Sequence, residues 1–310
     1  MHAALYSILP VLIVIATGWA IHRFGIIDDA GRAGIERLAY YVLFPCLIVL
    51  TLASADYGAL PWQALGATLL LSVLTMTALC LALYPILKNR FRVDGPAFTS
   101  VFQGAARWNT FIALALSGSL FGKEGLTLVA VAIVAMVPIL NLISVVVLAH
   151  HGGTTRPPAR ILLREIAKNP LIIACVVGLA LSIAGLSIPG PIAASLDIFG
   201  RAGLAVALVA VGLGLDLSSL RRPGPAHLFG TGLRLIVMPA IGLVYASLFG
   251  LTGTALGTAV VALAVPTASN GYLLARQMGG DAKLMAEIIT LQTMAAAITL
   301  PLWLALMALA

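Results

Sequence analysis

The sequence predicts an all-α polytopic membrane protein with ten transmembrane helices, arranged as two inverted five-helix repeats. Three observations lead to this fold class. Of the 310 residues, 61% are hydrophobic and only 9% are charged, whereas a soluble domain carries about a quarter charged residues. Apolar runs of about 20 residues, each long enough to cross the bilayer core, recur along the chain. Basic residues are concentrated in alternate loops between those runs, which is typical of membrane proteins.

The apolar runs place the transmembrane spans, which we number 1 to 10 along the chain. The loops on one side hold fourteen basic residues, while those on the other side hold only Lys123. The positive-inside rule therefore predicts a multi-pass protein of the inner (plasma) membrane, with both termini outside, on the periplasmic side. The predicted spans are residues 4–24, 35–54, 62–87, 97–121, 126–149, 169–187, 191–216, 227–249, 254–276 and 284–308.

A segment rich in glycine, threonine and proline divides the chain into two halves. Residues 1–149 form the first predicted repeat, residues 150–168 a cytoplasmic linker, and residues 169–310 the second repeat. Each half contains five spans, so the second half enters the membrane from the opposite side. Two related halves of this kind form an inverted repeat, which is a common transporter architecture.

The fourth span of each half carries an asparagine in an apolar setting. Aligning Asn109 of span 4 with Asn270 of span 9 also pairs Phe111 with Tyr272. A transmembrane asparagine often only hydrogen-bonds a neighbouring helix. Two asparagines at matching positions of two halves favour a shared polar site instead.

Both asparagines lie deep in the membrane, beside features that disturb a helix. At 1.5 Å per residue, Arg107 lies about 15 Å and Asn109 about 18 Å from the start of span 4, and Pro266 lies about 18 Å into span 9 from the opposite face. Pro266 cannot donate a helical hydrogen bond, and its neighbours in VPTASNG are poor helix formers. Spans 4 and 9 are therefore predicted to be broken near the bilayer centre.

Broken backbone at membrane depth is tolerated only where it is buried in protein or lines a watery cavity. There, the N–H groups that begin a half-helix favour an anion. The asparagines add N–H donors, and Arg107 can bind a carboxylate in a bidentate manner; alternatively, Arg107 only holds span 4 in place. The predicted substrate-binding residues are Asn109, Asn270, Arg107, Pro266, Ser269, Tyr272 and Thr267.

The remaining charged residues have more ordinary predicted roles. Asp197 and Arg201 are spaced for a structural ion pair on one helix face. Arg234 is expected to snorkel to the cytoplasm or to pair with Asp216.

Two acidic residues near span 9 are candidates for proton coupling. These are Asp281 and Glu287, and Glu287 is expected to face Lys283 across one helical turn. All five histidines lie at span ends or in loops, so none is expected to act as a buried proton relay.

Other classes of function lack their sequence signatures. Cys46, Cys80 and Cys175 are far apart and lack metal-ligand spacing, so no metal is expected. No nucleotide-binding motif or other cofactor motif is found. An intramembrane enzyme is not expected, because Ser117 has no buried histidine to activate it. The positive net charge is explained by the basic loops, so we expect no nucleic acid partner.

Several motifs resemble those of the auxin efflux carrier family, which includes plant PIN carriers and bacterial permeases for malate or malonate. The resemblance covers essentially the whole chain, and the absence of a long hydrophilic central loop indicates the compact prokaryotic branch. The motifs are RWNTF (107–111), FGKEGL (121–126) and VPILN (137–141) in the first half, and VPTASNGYLLARQMGGDAKL (265–284) and TLP (299–301) in the second.

The resemblance implies a specific architecture. Spans 1, 2, 6 and 7 would form a scaffold, spans 3–5 and 8–10 a transport domain, and two copies a homodimer. It also implies that Asn109, Asn270 and Pro266 lie where spans 4 and 9 cross. Ala105 stands where the family has a proline in the first half, so the break in span 4 needs another cause.

The resemblance also implies a function. We expect a secondary transporter or uniporter that moves a small organic anion across the lipid bilayer by alternating access. The substrate would be a carboxylate, either auxin-like or a mono- or dicarboxylate. The alternative is a channel or a membrane receptor for a small anionic ligand.

Overall fold

The computed structural model describes residues 2–55, 60–152, 164, 167–217 and 223–307, which form helices without a β-strand among them. Several helices begin with a side-chain cap; for example, the Asp94 carboxylate accepts the Ala97 N–H at 2.9 Å. The helices are α1 (His2–Arg23), α2 (Asp29–Leu38), α3 (Phe44–Ala53), α4 (Trp62–Phe91), α5 (Gly95–Ala106), α6 (Thr110–His151), α7 (Pro170–Ile183), α8 (Gly190–Leu213), α9 (Pro225–Gly232), α10 (Met238–Leu248), α11 (Gly253–Ala264), α12 (Asn270–Gln277) and α13 (Ala282–Met307).

Six helical segments of the described chain are long and apolar enough to cross a membrane, and three shorter apolar helices accompany them. The chain is therefore a multi-pass membrane protein, while the ten-span inverted repeat stays a prediction. The long segments are Asp29–Ala53, Trp62–Phe91, Gly95–His151, Gly190–Leu213, Pro225–Leu248 and Ala282–Met307, and the shorter ones are Leu9–Arg23, Pro170–Ile183 and Gly253–Ala264.

The segment Gly95–His151 is too long for one crossing. As a straight helix its 57 residues would measure about 85 Å, against a bilayer core of about 30 Å. The helix is interrupted after Ala106 and again at Gly122, where φ is 59° and ψ is −141°. This conformation is essentially restricted to glycine. Gly122 lies where the sequence predicts the turn between spans 4 and 5.

Two π-helical turns allow α2 to continue into α3 and α9 to continue into α10. They are Ala39–Leu43 and Leu233–Val237, and Pro45 and Pro239 follow them in the first turn of the next helix. A proline removes one helical N–H donor. A local shift to wider turns accommodates that loss without ending the helix.

The helices pack in two groups. The first group is α1, α3, α7 and α8, and the second is α4, α5, α6, α9, α10, α11, α12 and α13. α6 also contacts α3 and α8 and so joins the groups. Within the first group, Gly18 lies against the carbonyl of Val209 and Gly212 against the carbonyl of Ile15, leaving no room for side chains. Small residues commonly permit such close approach between membrane helices.

The first group corresponds to predicted spans 1, 2, 6 and 7, and the second to the other spans. Most of the predicted linker, residues 150–168, lies outside the described residues. So do four of the basic residues used to predict orientation, namely Arg156, Arg160, Arg221 and Arg222.

Candidate functional site

The first break in the helices is created by Asn109. α5 ends at Ala106, and the backbone of Arg107 is extended, with φ −72° and ψ 155°. Asn109 then caps α6, because its Oδ1 accepts the N–H groups of Phe111 and Ile112, each at 3.1 Å. No proline is needed at Ala105 for this break. With Oδ1 committed to the cap, only the Nδ2 group of the Asn109 side chain is left for other hydrogen bonds.

The second break lies between α11 and α12, and it contacts the first. α11 ends at Ala264, and residues 265–269 are non-helical. The N–H of Asn109 donates to the carbonyl of Pro266 at 2.8 Å, and the Thr267 hydroxyl donates to the carbonyl of Gln103 at 3.1 Å. Spans 4 and 9 are thus both broken where the sequence predicts, and their backbones are in direct contact there.

Arg107 joins the two breaks through its side chain. Its Nε donates to Oδ1 of Asn270 at 3.3 Å, and its Nη2 donates to Oδ1 of Asn141 at 2.8 Å. The residue is only 6% exposed, and its Nη1 is buried without a hydrogen-bond partner in the described part of the chain. The guanidinium is therefore held by two neutral amides, with one nitrogen still unsatisfied.

A small cavity opens beside this guanidinium. Its volume is about 30 Å³, which is room for about one or two water molecules. A carboxylate of several carbon atoms would require its walls to move apart. The residues lining the cavity are Arg107, Trp108, Thr110, Val137, Leu140, Asn141 and Asn270.

A family model described as "Membrane transport protein" matches residues 3–304. The chain belongs to this family of membrane transport proteins, which is the auxin efflux carrier family that the sequence motifs indicate.

The chain is similar to transporters of three organisms. An uncharacterized transporter of Methanothermobacter thermautotrophicus is 25% identical over 305 residues, which are 96% of each chain. An uncharacterized transporter of Methanocaldococcus jannaschii is 23% identical over 302 residues, again 96% of each. A putative malonate transporter of Rhizobium meliloti is 28% identical over 170 residues, which are 50% of this chain and 53% of the relative.

In this membrane transport protein, the predicted site residues of the second break have different positions. Asn270 lines the cavity with Arg107, and it is exposed. Thr267 is fully buried, and both its N–H and its hydroxyl are hydrogen-bonded to protein atoms. Ser269 and Tyr272 are half-buried at the start of α12 and are not among the residues lining the cavity.

Two predictions for other charged residues have opposite outcomes. The ion pair of Arg201 with Asp197 is confirmed, with 2.8 Å between Nε and Oδ2. The snorkelling of Arg234 is wrong, because Arg234 is 0% exposed. Its Nε donates to the carbonyl of Val265 at 2.7 Å and its Nη2 to that of Ala262 at 2.9 Å. These carbonyls end α11, and a cation is favourable there.

The two acidic residues proposed for coupling differ in their surroundings. Asp281 caps α13, since its Oδ1 accepts the N–H of Leu284 at 2.9 Å. Glu287 does not depend on Lys283 for a partner, because Oε2 of Glu287 lies 2.7 Å from Nε2 of His227. Both of these side chains are largely buried, at 13% and 15% exposure. The sequence does not indicate this contact of His227, and the expectation that no histidine acts as a buried proton relay stays a prediction.

Asn141 and Gln292 are polar residues of this region that are not among the predicted site residues. Asn141 is part of the motif VPILN, and its position three residues after Pro138 in an apolar span is the only signal in the sequence. Gln292 lies in α13 and is fully buried. Within the described residues, no group of three or more histidine, cysteine, aspartate or glutamate side chains is arranged to hold a metal ion.

Proposed function

We propose that this protein transports small organic anions, and specifically carboxylates, by alternating access, with the substrate bound where spans 4 and 9 cross. One observation carries the proposal: Arg107 is a buried cation whose described partners are two neutral amides. A buried charge is costly unless it is paired. In the described part of the chain, no carboxylate pairs with Arg107, so an anionic ligand is the partner that its environment lacks.

The neighbouring asparagines give the site its preference for a carboxylate. Asn270 and Asn141 have Oδ1 directed to Arg107, so a carboxylate arriving at the guanidinium replaces one or both of these oxygens. Guanidinium binds carboxylate in a planar, bidentate manner. The Nδ2 groups of Asn109 and Asn270 then remain as additional donors to the ligand. In this arrangement Pro266 and Thr267 shape the second break rather than contact the substrate.

The two packing groups provide a basis for alternating access. Every hydrogen bond that joins the two breaks lies within the second group of helices. That group can therefore carry the site as a unit while α1, α3, α7 and α8 stay fixed as a scaffold. The small volume of the cavity requires such a movement before a carboxylate is bound. We further propose that two copies form a homodimer through the scaffold. The dimer lies in the plasma membrane with both termini of each copy outside.

The test is transport of malonate by purified protein in proteoliposomes. We expect saturable uptake and malonate–malonate counterflow in the wild type. Arg107→Gln and Asn270→Ala should each reduce uptake at least about tenfold, since each removes a charge-assisted or direct hydrogen bond to the carboxylate. Thermal stabilisation by malonate should fall in parallel, because a ligand of the native state raises apparent stability by mass action.

The matched control is Arg201→Gln, which removes an arginine whose side chain is 79% exposed in a surface ion pair. This variant should transport malonate at the wild-type rate. Unchanged flux of malonate and of a panel of mono- and dicarboxylates in Arg107→Gln would overturn the site. Large unitary currents without counterflow would favour a channel over a carrier.

A further inference from the structure

Gln292 makes three hydrogen bonds to three different segments of the chain. Its Oε1 accepts the N–H of Thr267 at 2.8 Å. Its Nε2 donates to the carbonyl of Gly104 and to the carbonyl of Gly230, each at 3.0 Å. One carboxamide on α13 thus connects the second break, the end of α5 at the first break, and α9 just before its π-helical turn.

Each of these three partners is a backbone group that either has no hydrogen-bond partner within a helix or shares its helical hydrogen bond with Gln292. Gly104 lies in the last turn of α5, where carbonyls have no helical donor ahead of them. Thr267 lies in the non-helical segment after α11, so its N–H has no helical acceptor. Burial without a partner would be costly for either group. Gln292 satisfies both at once, and it is itself 0% exposed.

Only one orientation of the carboxamide satisfies this arrangement. Rotating it by half a turn would place the NH₂ group against the N–H of Thr267 and the oxygen against two carbonyl oxygens. Glutamine therefore fits because it combines one acceptor with two donors. No other uncharged side chain of similar length carries that combination.

We propose that Gln292 is a positioning residue that holds the two breaks in one register, so that Arg107 and Asn270 face the same cavity. Arg107 follows Gly104 by three residues, and Asn270 follows Thr267 by three residues. Fixing Gly104 and Thr267 on one side chain therefore fixes the starting points of both short segments that carry the site.

The first experiment measures backbone hydrogen exchange in the purified full-length protein, and it does not depend on transport. In Gln292→Met, which keeps the length of the side chain but removes all three bonds, we expect exchange at least about tenfold faster at Thr267. The Asn109 amide, bonded to Pro266 in the adjacent break, should accelerate with it. Faster exchange at Thr267 alone, or at neither amide, would overturn the proposal.

Thr293→Val is the matched control. Thr293 neighbours Gln292 and is also buried, but its hydroxyl bonds only within α13, to the carbonyl of Ile289 at 2.8 Å. Loss of the Thr293 hydroxyl should leave backbone hydrogen exchange in both breaks at the wild-type rate. Equally fast hydrogen exchange in Thr293→Val would mean that the loss of any polar side chain in α13 loosens the breaks. That result would overturn a specific role for Gln292.

A second variant covers the case in which Gln292→Met does not fold. Gln292→Glu keeps the acceptor for Thr267 but places an oxygen against the carbonyls of Gly104 and Gly230. Protonation converts that oxygen into a donor, so slow exchange at Thr267 and Asn109 should return as the pH is lowered. The wild type, corrected for intrinsic exchange, should show no such recovery. Exchange that stays fast at both amides at every pH in Gln292→Glu would contradict the proposal.

The role in transport rests on the proposed function and is measured separately. In malonate counterflow, Gln292→Met should raise the half-saturating concentration about tenfold, with a smaller change in maximal rate, because misplaced binding groups weaken binding first. A wild type that transports neither malonate nor the carboxylate panel would overturn the proposed function while leaving the exchange result intact. Coupled exchange with an unchanged half-saturating concentration would overturn the positioning role alone.

Discussion

The N–H of Asn109 donates to the carbonyl of Pro266 at 2.8 Å, which joins the backbones of two segments that are 157 residues apart in the sequence. Both groups are available because both helices are broken at this point. An unbroken helix would use the N–H of Asn109 within its own turn. This hydrogen bond therefore makes the two breaks depend on each other. Substitutions at single residues separate their contributions to stability and to transport.

Asn109 combines two roles, which Asn109→Asp should separate. An aspartate still caps α6, so we expect an unfolding temperature close to that of the wild type. It loses the Nδ2 donors and adds a negative charge two residues from Arg107, so malonate uptake should fall at least about tenfold. Asn109→Ser, a neutral cap, should transport better than Asn109→Asp. Wild-type uptake by the aspartate variant would show that Asn109 only caps the helix.

Asn141→Asp should supply the anion that Arg107 lacks. The new carboxylate would lie where Oδ1 of Asn141 now accepts from Arg107 at 2.8 Å. A buried pair of this kind is stronger than an amide–guanidinium bond, so thermal unfolding should occur at a higher temperature than in the wild type. Malonate would then compete with an internal partner, and its uptake should decrease. Asn141→Leu, which supplies no anion, should lower uptake without raising the unfolding temperature.

Gly122→Ala should destabilise the fold by about 1–3 kcal/mol, because a side chain is strained at a positive φ with strongly negative ψ. The control is Gly66→Ala, since Gly66 lies inside α4 and the added methyl group would point into open space. That substitution should stabilise the helix by up to about 1 kcal/mol. Thermal unfolding in the same detergent compares the two. Equal unfolding temperatures for Gly122→Ala and Gly66→Ala would contradict the positive-φ turn at Gly122.

Glu287→Gln tests the proposal that Glu287 carries a coupling proton. Glutamine can still accept a hydrogen bond from His227, but it cannot take up a proton. We expect malonate counterflow to continue while accumulation driven by a proton gradient is lost. Asp281→Asn tests the other candidate: asparagine caps a helix as well as aspartate does, so unaffected results in both assays would leave Asp281 with the capping role alone. Gradient-driven accumulation by Glu287→Gln would exclude Glu287 from coupling.

The sequence predicts the apolar helical segments of a multi-pass membrane protein well, because the bilayer restricts what a spanning segment can be. Long apolar runs and basic loops are local properties, and they place the interruption near Gly122 to within a few residues. Pro266 and its polar neighbours likewise indicate the second break directly. The start of span 2 is predicted at residue 35, whereas the helix begins at Asp29, because the first turns of α2 are polar and carry no hydropathy signal.

The contacts of the site could not be predicted in the same way. Arg234 has an apolar neighbourhood in the sequence, so its side chain is expected to extend to water. Its actual partners are the last carbonyls of α11, 28 to 31 residues later in the chain. They are available only because α11 ends there. Gln292 and Gly104 are 188 residues apart. Asn141, which accepts a hydrogen bond from Arg107, lies in a different helix. Such pairings depend on how helices cross, which no local pattern specifies.

Arg107 and Arg234 are the only charged residues that are fully or almost fully buried in the described part of the chain. Their two positive charges lie beside the two helix breaks, in surroundings of low dielectric constant, where charges act over long distances. A cation entering this region would meet a repulsive barrier, as it does at arginines in pores that exclude protons. The same residues that would attract a carboxylate would therefore keep the energised membrane from leaking hydronium and sodium ions through the protein.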